Sequence, residues 1–113
     1  MQLIYIGSKI LLNNLQLEKR VYWILITISI CNGCDLLKYD LKNMENLNFP
    51  IHVVEIYNIG PDEEILLKFC NAGQFPFLCI IENGSVKRRW AGYFVDEEES
   101  FRIEQLQKIL SSE

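Results

Sequence analysis

Two cysteines three residues apart, in Cys31-Asn32-Gly33-Cys34, stand where an apolar run gives way to a helical pattern. The run before them, Val21 to Ser29, is β-branched and aromatic and apolar on both faces, as a central strand covered by helices would be. After them, Asp35 to Leu47 puts Leu37, Leu41, Met44 and Leu47 on one helical stripe, with lysines and acids opposite, and Pro50 ends the segment. A Cys-x-x-Cys at such a junction meets the start of a helix, where four N–H groups lack intrahelical partners and the helix dipole is positive. Thiolate is favoured over thiol there, and the pKa of the first cysteine falls. Two cysteines on one turn can also close a short disulfide. The pattern reads as a dithiol/disulfide exchange centre.

The rest of the chain alternates strands and helices. Leu3 to Ile6 is a short strand ended by Gly7-Ser8, with Ser8 as the expected cap of an amphipathic helix over Lys9 to Lys19. Ile51 to Tyr57 is a strand. Gly60-Pro61 followed by acids opens a helix with Ile65, Leu66 and Phe69 as its apolar face and Asn71-Ala72-Gly73 as its stop. Phe77 to Glu82 and Ser85 to Ala91 are strands joined by Asn83-Gly84, a strong hairpin signal. Asp96 is expected to cap a last helix, with Glu97, Glu98 and Glu99 in its first turn and Ile103, Leu106, Ile109 and Leu110 on its apolar face. The predicted order is β-α-β-α-β-α-β-β-α in a single α/β domain over residues 1–113, with parallel pairing and a closing antiparallel hairpin.

Composition narrows the functions available. The net charge is −4, and the bases are dispersed except for Lys87-Arg88-Arg89, so nucleic-acid binding has no electrostatic footprint. That basic triplet reads as the solubilising charge of an edge strand. The longest apolar run, Val21 to Cys31, is too short to span a bilayer, and the N-terminal residues lack the charge and cleavage pattern of a leader, so a cytoplasmic, reducing setting is expected. Cys70 and Cys79 lie among apolar neighbours and read as inert core thiols. A zinc site built from all four cysteines is the alternative, weakened because eight residues separate Cys70 from Cys79 along unlike segments. His52, without an evident partner, reads as structural or solvated, and Trp23 and Trp90 as core.

The element order with Cys-x-x-Cys opening the second helix resembles the thioredoxin family, over nearly the whole chain. Phe75-Pro76 before the fourth strand is similar to the family's cis-proline, and Glu82 to Val86 followed by Gly92 is similar to its hairpin and the glycine after its last strand. The resemblance implies a three-layer sandwich, a central mixed sheet with helices on both faces. Departures are plain: Ile30 replaces the family's tryptophan before the first cysteine, Asn32-Gly33 replaces Gly-Pro, and Leu25 replaces its buried aspartate. Glu55 stands where the family usually has a lysine beside that aspartate. It either accepts the proton of Cys34 from an apolar strand or reaches solvent near the strand end.

By that resemblance Cys31 is the nucleophile that attacks a protein disulfide, Cys34 resolves the mixed disulfide, and Asp35 moderates the thiolate's stability. Pro76 is expected cis, its ring keeping competing donors and metal ions from the sulfurs. The backbone of Phe75 would pair with an extended substrate, and Phe75, Ile30 and Gly92 would line an apolar docking surface; core packing is the other reading of Phe75. The dithiol is its own redox group, with no further cofactor and no metal. The expected partners are protein disulfides and a thioredoxin reductase or another dithiol donor, with no membrane or nucleic acid, and the chain is expected to be a monomer. A redox-sensing or adaptor module with little turnover, and a structural zinc domain, are the competing functions.

Overall fold

The structure, a computed structural model, describes residues 2–17, 20–44 and 49–111. Its elements run β1 Leu3–Tyr5, α1 Ser8–Leu17, β2 Val21–Ile28, α2 Asn32–Lys42, β3 Ile51–Ile56, α3 Pro61–Cys70, β4 Phe77–Glu82, β5 Ser85–Ala91 and α4 Glu99–Leu110, in the expected order. They build one mixed sheet ordered β1-β3-β2-β4-β5. At its centre β2 pairs parallel with β3 and antiparallel with β4, so that Leu25 lies between Val53 and Leu78.

Both faces of β2 are covered, and its residues from Tyr22 to Thr27 are all buried. On one face Leu11 and Leu15 of α1 and Leu66 and Cys70 of α3 pack on Tyr22, Ile24, Ile26 and Phe77. On the other, Leu37 and Leu41 of α2 and Leu106 and Leu110 of α4 pack on Trp23, Leu25, Val53 and Ile80. The result is the expected three-layer sandwich. Trp23 stacks on Trp90, with ring centroids 5.8 Å apart.

Several details depart from the sequence reading. Ser8 does not cap α1: it is the helix's first residue and is buried, while the Gly7 carbonyl accepts from Leu11 N–H. The expected end of α1 at Lys19 lies outside the described residues. Helix α2 is regular only to Lys42, with Asn43 as its C-cap; Leu37, Leu41 and Met44 are buried as the stripe requires, and Leu47 lies outside the described residues. In α3 the buried pair is Leu66 and Cys70, one turn apart, whereas Ile65 and Phe69 are exposed on the neighbouring stripe. Helix α4 begins two residues later than expected, with Glu98 and not Asp96 at the N-cap, and the guanidinium of Arg102 takes the Glu97 carbonyl at 2.8 Å. His52 does have a neighbour, the Tyr22 ring, which it meets edge-on.

The hairpin turn matches its sequence. Asn83 and Gly84 have φ of 53° and 79°, both in the left-handed region that a two-residue type I′ turn needs. Strand β5 is the sheet's edge, and Lys87 on it pairs with Glu82 at 2.9 Å.

Candidate active site

Cys31 leaves β2 in an extended conformation and serves as the N-cap of α2. Its Sγ accepts the Cys34 N–H at 3.1 Å, and its carbonyl accepts from Asp35 N–H. A cysteine can cap a helix because its side chain, like that of serine, places an acceptor over the unpaired N–H groups of the first turn. Cys31 and Cys34 are joined as a disulfide with their Cα atoms 5.2 Å apart. Cys31 is half-buried and Cys34 fully buried.

The proline loop reaches the turn between the cysteines from far along the chain. The Phe75–Pro76 peptide bond is cis. A Cβ placed on Gly33 would lie 3.2 Å from Pro76 Cδ, so the turn between the cysteines and the proline ring are in direct contact. The Gly92 N–H donates to the Pro76 carbonyl at 2.8 Å, which brings the residue after β5 to the same place. Ile30, next to Cys31, holds a left-handed φ of 53° and is fully exposed. Phe75 is half-buried and packs against the core formed with α1 and α3, while Pro76 is buried.

Solved structures resemble this architecture closely. The thioredoxin of Malassezia sympodialis superposes with a TM-score of 0.68 at 13% identity, covering 99% of this chain and 90% of its own. Thioredoxin f from spinach chloroplast gives 0.66 at 14% identity over 97% of this chain and 92% of its own. A thioredoxin f2 solved in complex with ferredoxin:thioredoxin reductase gives 0.64 at 10% identity over 97% and 96%. The fold is that of thioredoxin. No protein-family model and no curated protein matches the sequence.

On this thioredoxin fold Glu55 lies opposite Thr27 in the β2–β3 ladder, on the same side of the sheet as α2. Its carboxylate is not isolated in an apolar strand. Lys38, one turn beyond Cys34 on α2, donates to it at 2.6 Å, and the Tyr57 hydroxyl lies at 3.4 Å. Burial pulls the Lys38 pKa down, but the hydrogen bond and charge of Glu55 outweigh it and hold the ammonium above its ordinary range. Leu25 is fully buried, as its apolar neighbours demand.

Sequence reasoning missed a buried ionic cluster beside the site. Asp40 of α2 is 1% exposed and Arg102 of α4 8% exposed. Arg102 grips Asp40 with two nitrogens, Nε to Oδ2 at 2.8 Å and Nη2 to Oδ1 at 3.2 Å, the bidentate geometry for which a planar guanidinium is suited. The Tyr93 hydroxyl donates to the same Oδ2 at 2.5 Å. Burial and this bond to Asp40 push the Tyr93 pKa well above the ordinary phenol range, and the Asp40 carboxylate holds Arg102 above its own. A signal was present: Asp40 is three residues past Leu37 and four before Met44, and Arg102 is four before Leu106, so both charges fall on core-facing stripes.

Cys70 and Cys79 lie in the other layer, both fully buried and free. Their thiols share a hydrogen bond, which together with burial pushes the Cys79 pKa far above the thiol range. Among the described residues no group of three or more His, Cys, Asp or Glu could hold a metal ion, and the two cysteine pairs do not converge on one site.

Proposed function

We propose that this chain is a thiol-disulfide oxidoreductase that reduces protein disulfides through Cys31 and Cys34. The observation that carries the reading is the disulfide at the start of α2, closed around a turn whose Gly33 lies against the ring of a cis-proline. In the reduced chain the Cys31 thiolate attacks one sulfur of a partner disulfide, and the other partner sulfur leaves as a thiolate and takes a proton. Cys34 then gives up its proton, with Glu55 as the acceptor once Lys38 shifts, and attacks Cys31 Sγ. The second partner thiol is released and Cys31–Cys34 is left oxidised. A dithiol donor restores the reduced pair; a thioredoxin f2 engages ferredoxin:thioredoxin reductase, and a reductase of that kind is the donor we favour.

Docking uses the backbone of Phe75 as a short strand partner, with Ile30 and Gly92 flanking the sulfurs. The Pro76 ring presents no N–H to compete for them. A monomer in a reducing compartment such as the cytoplasm suits a free dithiol of this kind.

One observation favours a slower, adaptor-like variant. Leu25 is buried where thioredoxins carry an acid, and the nearby carboxylate of Glu55 is bound to Lys38. Resolution by Cys34 would then lag and mixed disulfides would accumulate. Insulin reduction driven by dithiothreitol separates the two readings. Turnover in the wild type, loss in Cys31→Ser and a trapped mixed disulfide in Cys34→Ser are expected; activity retained in Cys31→Ser would refute the assignment. Stoichiometric capture without turnover would favour the adaptor.

A further inference from the structure

The segment after β5 is tied down around the active-site turn. At its start, Gly92 N–H donates to the Pro76 carbonyl at 2.8 Å. In its middle it lies on the turn itself: a Cβ on Gly33 would meet Val95 Cγ1 at 3.5 Å and Tyr93 Cβ at 3.8 Å. From there the Tyr93 hydroxyl reaches Asp40, about two helical turns beyond Gly33 on α2, at 2.5 Å. A bond from Val95 N–H to the Tyr93 carbonyl, 3.0 Å, tightens the segment. Its far end is held as well, since Arg102 binds both Asp40 and the Glu97 carbonyl.

Residues 92–95 therefore form a strap across the front of α2, and one hydrogen bond connects its centre to a buried charge. A hydroxyl donating to a carboxylate is a charge-assisted bond, and Asp40 is in turn fixed by a bidentate guanidinium. The acceptor cannot drift, so the position of Tyr93 is set by α2, the helix that carries both cysteines.

We propose that Tyr93 is a positioning residue for partner docking: its bond to Asp40 holds the Gly92–Val95 strap in register with the Cys31–Cys34 turn and Pro76. This inference rests on the oxidoreductase reading above. A partner then meets a preformed Gly92 rim and does not have to order a loose one, which lowers the cost of association. The sulfurs keep their own environment, because Tyr93 touches the turn at Gly33 and donates to neither cysteine in the structure described.

The test compares a protein disulfide with a small one. In Tyr93→Phe, KM for insulin should rise about tenfold, the equivalent of about 1.4 kcal/mol, with kcat within about twofold of wild type. The rate at which the reduced chain reacts with 5,5′-dithiobis(2-nitrobenzoate), which needs no docking rim, should stay within about twofold. A second variant, Asp40→Leu with Arg102→Met, removes the acceptor and its counter-charge together, so no buried charge is left alone. It should reproduce the KM increase whether or not Tyr93→Phe folds. Thermal unfolding of each variant shows that the assay temperature lies below its transition. Unchanged insulin KM in the folded variants, or equal slowing with both substrates, overturns the proposal. Failure of the wild type itself to turn over insulin overturns it too, and is recognised as failure of the functional reading because the small-disulfide reaction is then the only one seen.

Discussion

Alanine at Gly92 and at Gly84 should separate backbone strain from partner docking. The two glycines have nearly the same left-handed φ, +81° and +79°. In that region a Cβ crowds the following carbonyl oxygen, at about 1–2 kcal/mol per residue. Neither would meet a hard obstacle. A Cβ on Gly84 would find only the Leu15 carbonyl at 3.9 Å, and one on Gly92 would find the end of the Gln74 side chain at 3.4 Å, which can swing away. Strain should therefore dominate both, with a similar loss of about 1–2 kcal/mol. For a chain of 113 residues the unfolding entropy is about 0.24 kcal/mol/K, so Tm should fall by about 4–8 °C in each variant. Their functional consequences should diverge. Gly84 sits in the β4–β5 turn beside Val21, at the end of the sheet away from the cysteines, whereas Gly92 donates to the Pro76 carbonyl in the site. Circular dichroism melts and insulin reduction, run on both variants, give the two readouts. Wild-type stability in either variant would refute the strain argument. Equal impairment of insulin reduction in both would refute the placement of Gly92 at the docking surface.

Further predictions concern the same neighbourhood. Ile30 is β-branched, fully exposed and left-handed, so Ile30→Asn should raise stability by about 1 kcal/mol in a urea titration, since asparagine tolerates that region and no packing is lost. The Lys38–Glu55 pair is only partly shielded, with side chains 16% and 28% exposed, so a double-mutant cycle with Lys38→Met and Glu55→Gln should show a coupling of about 0.5–1 kcal/mol that shrinks in high salt. Because the folded state raises the Tyr93 pKa, the resulting stability is complete below the unfolded tyrosine's value of about 10 and is lost as pH climbs above it. The urea midpoint of the wild type should thus fall more steeply above about pH 10 than that of Tyr93→Phe.

Much of this molecule was legible from short stretches of sequence. The switch from a two-sided apolar run to a helical stripe located β2, α2 and the cysteines at the start of α2, and Asn83-Gly84 located the hairpin, because each depends on residues within a turn or two of one another. Boundaries were less legible where a distant group intervened. The acids at Asp96 to Glu99 look like a helix start, yet α4 is capped only at Glu98 and begins at Glu99, with Arg102 claiming the Glu97 carbonyl.

What the chain alone determined is which surfaces are apolar and where a dithiol meets a helix N-terminus. What it could not state is what stands opposite. Pro76 touches the Gly33 turn across 43 positions of sequence, Asp40 meets Arg102 across 62, and Glu55 is claimed by Lys38 from another element. Periodicity records the face a residue presents and carries no information about its partner across the sheet or between helices. A charge on an apolar stripe therefore reads as an irregularity until packing brings its counter-charge within hydrogen-bonding distance. The tertiary structure alone decided that, and with it the shape of the surface around the sulfurs.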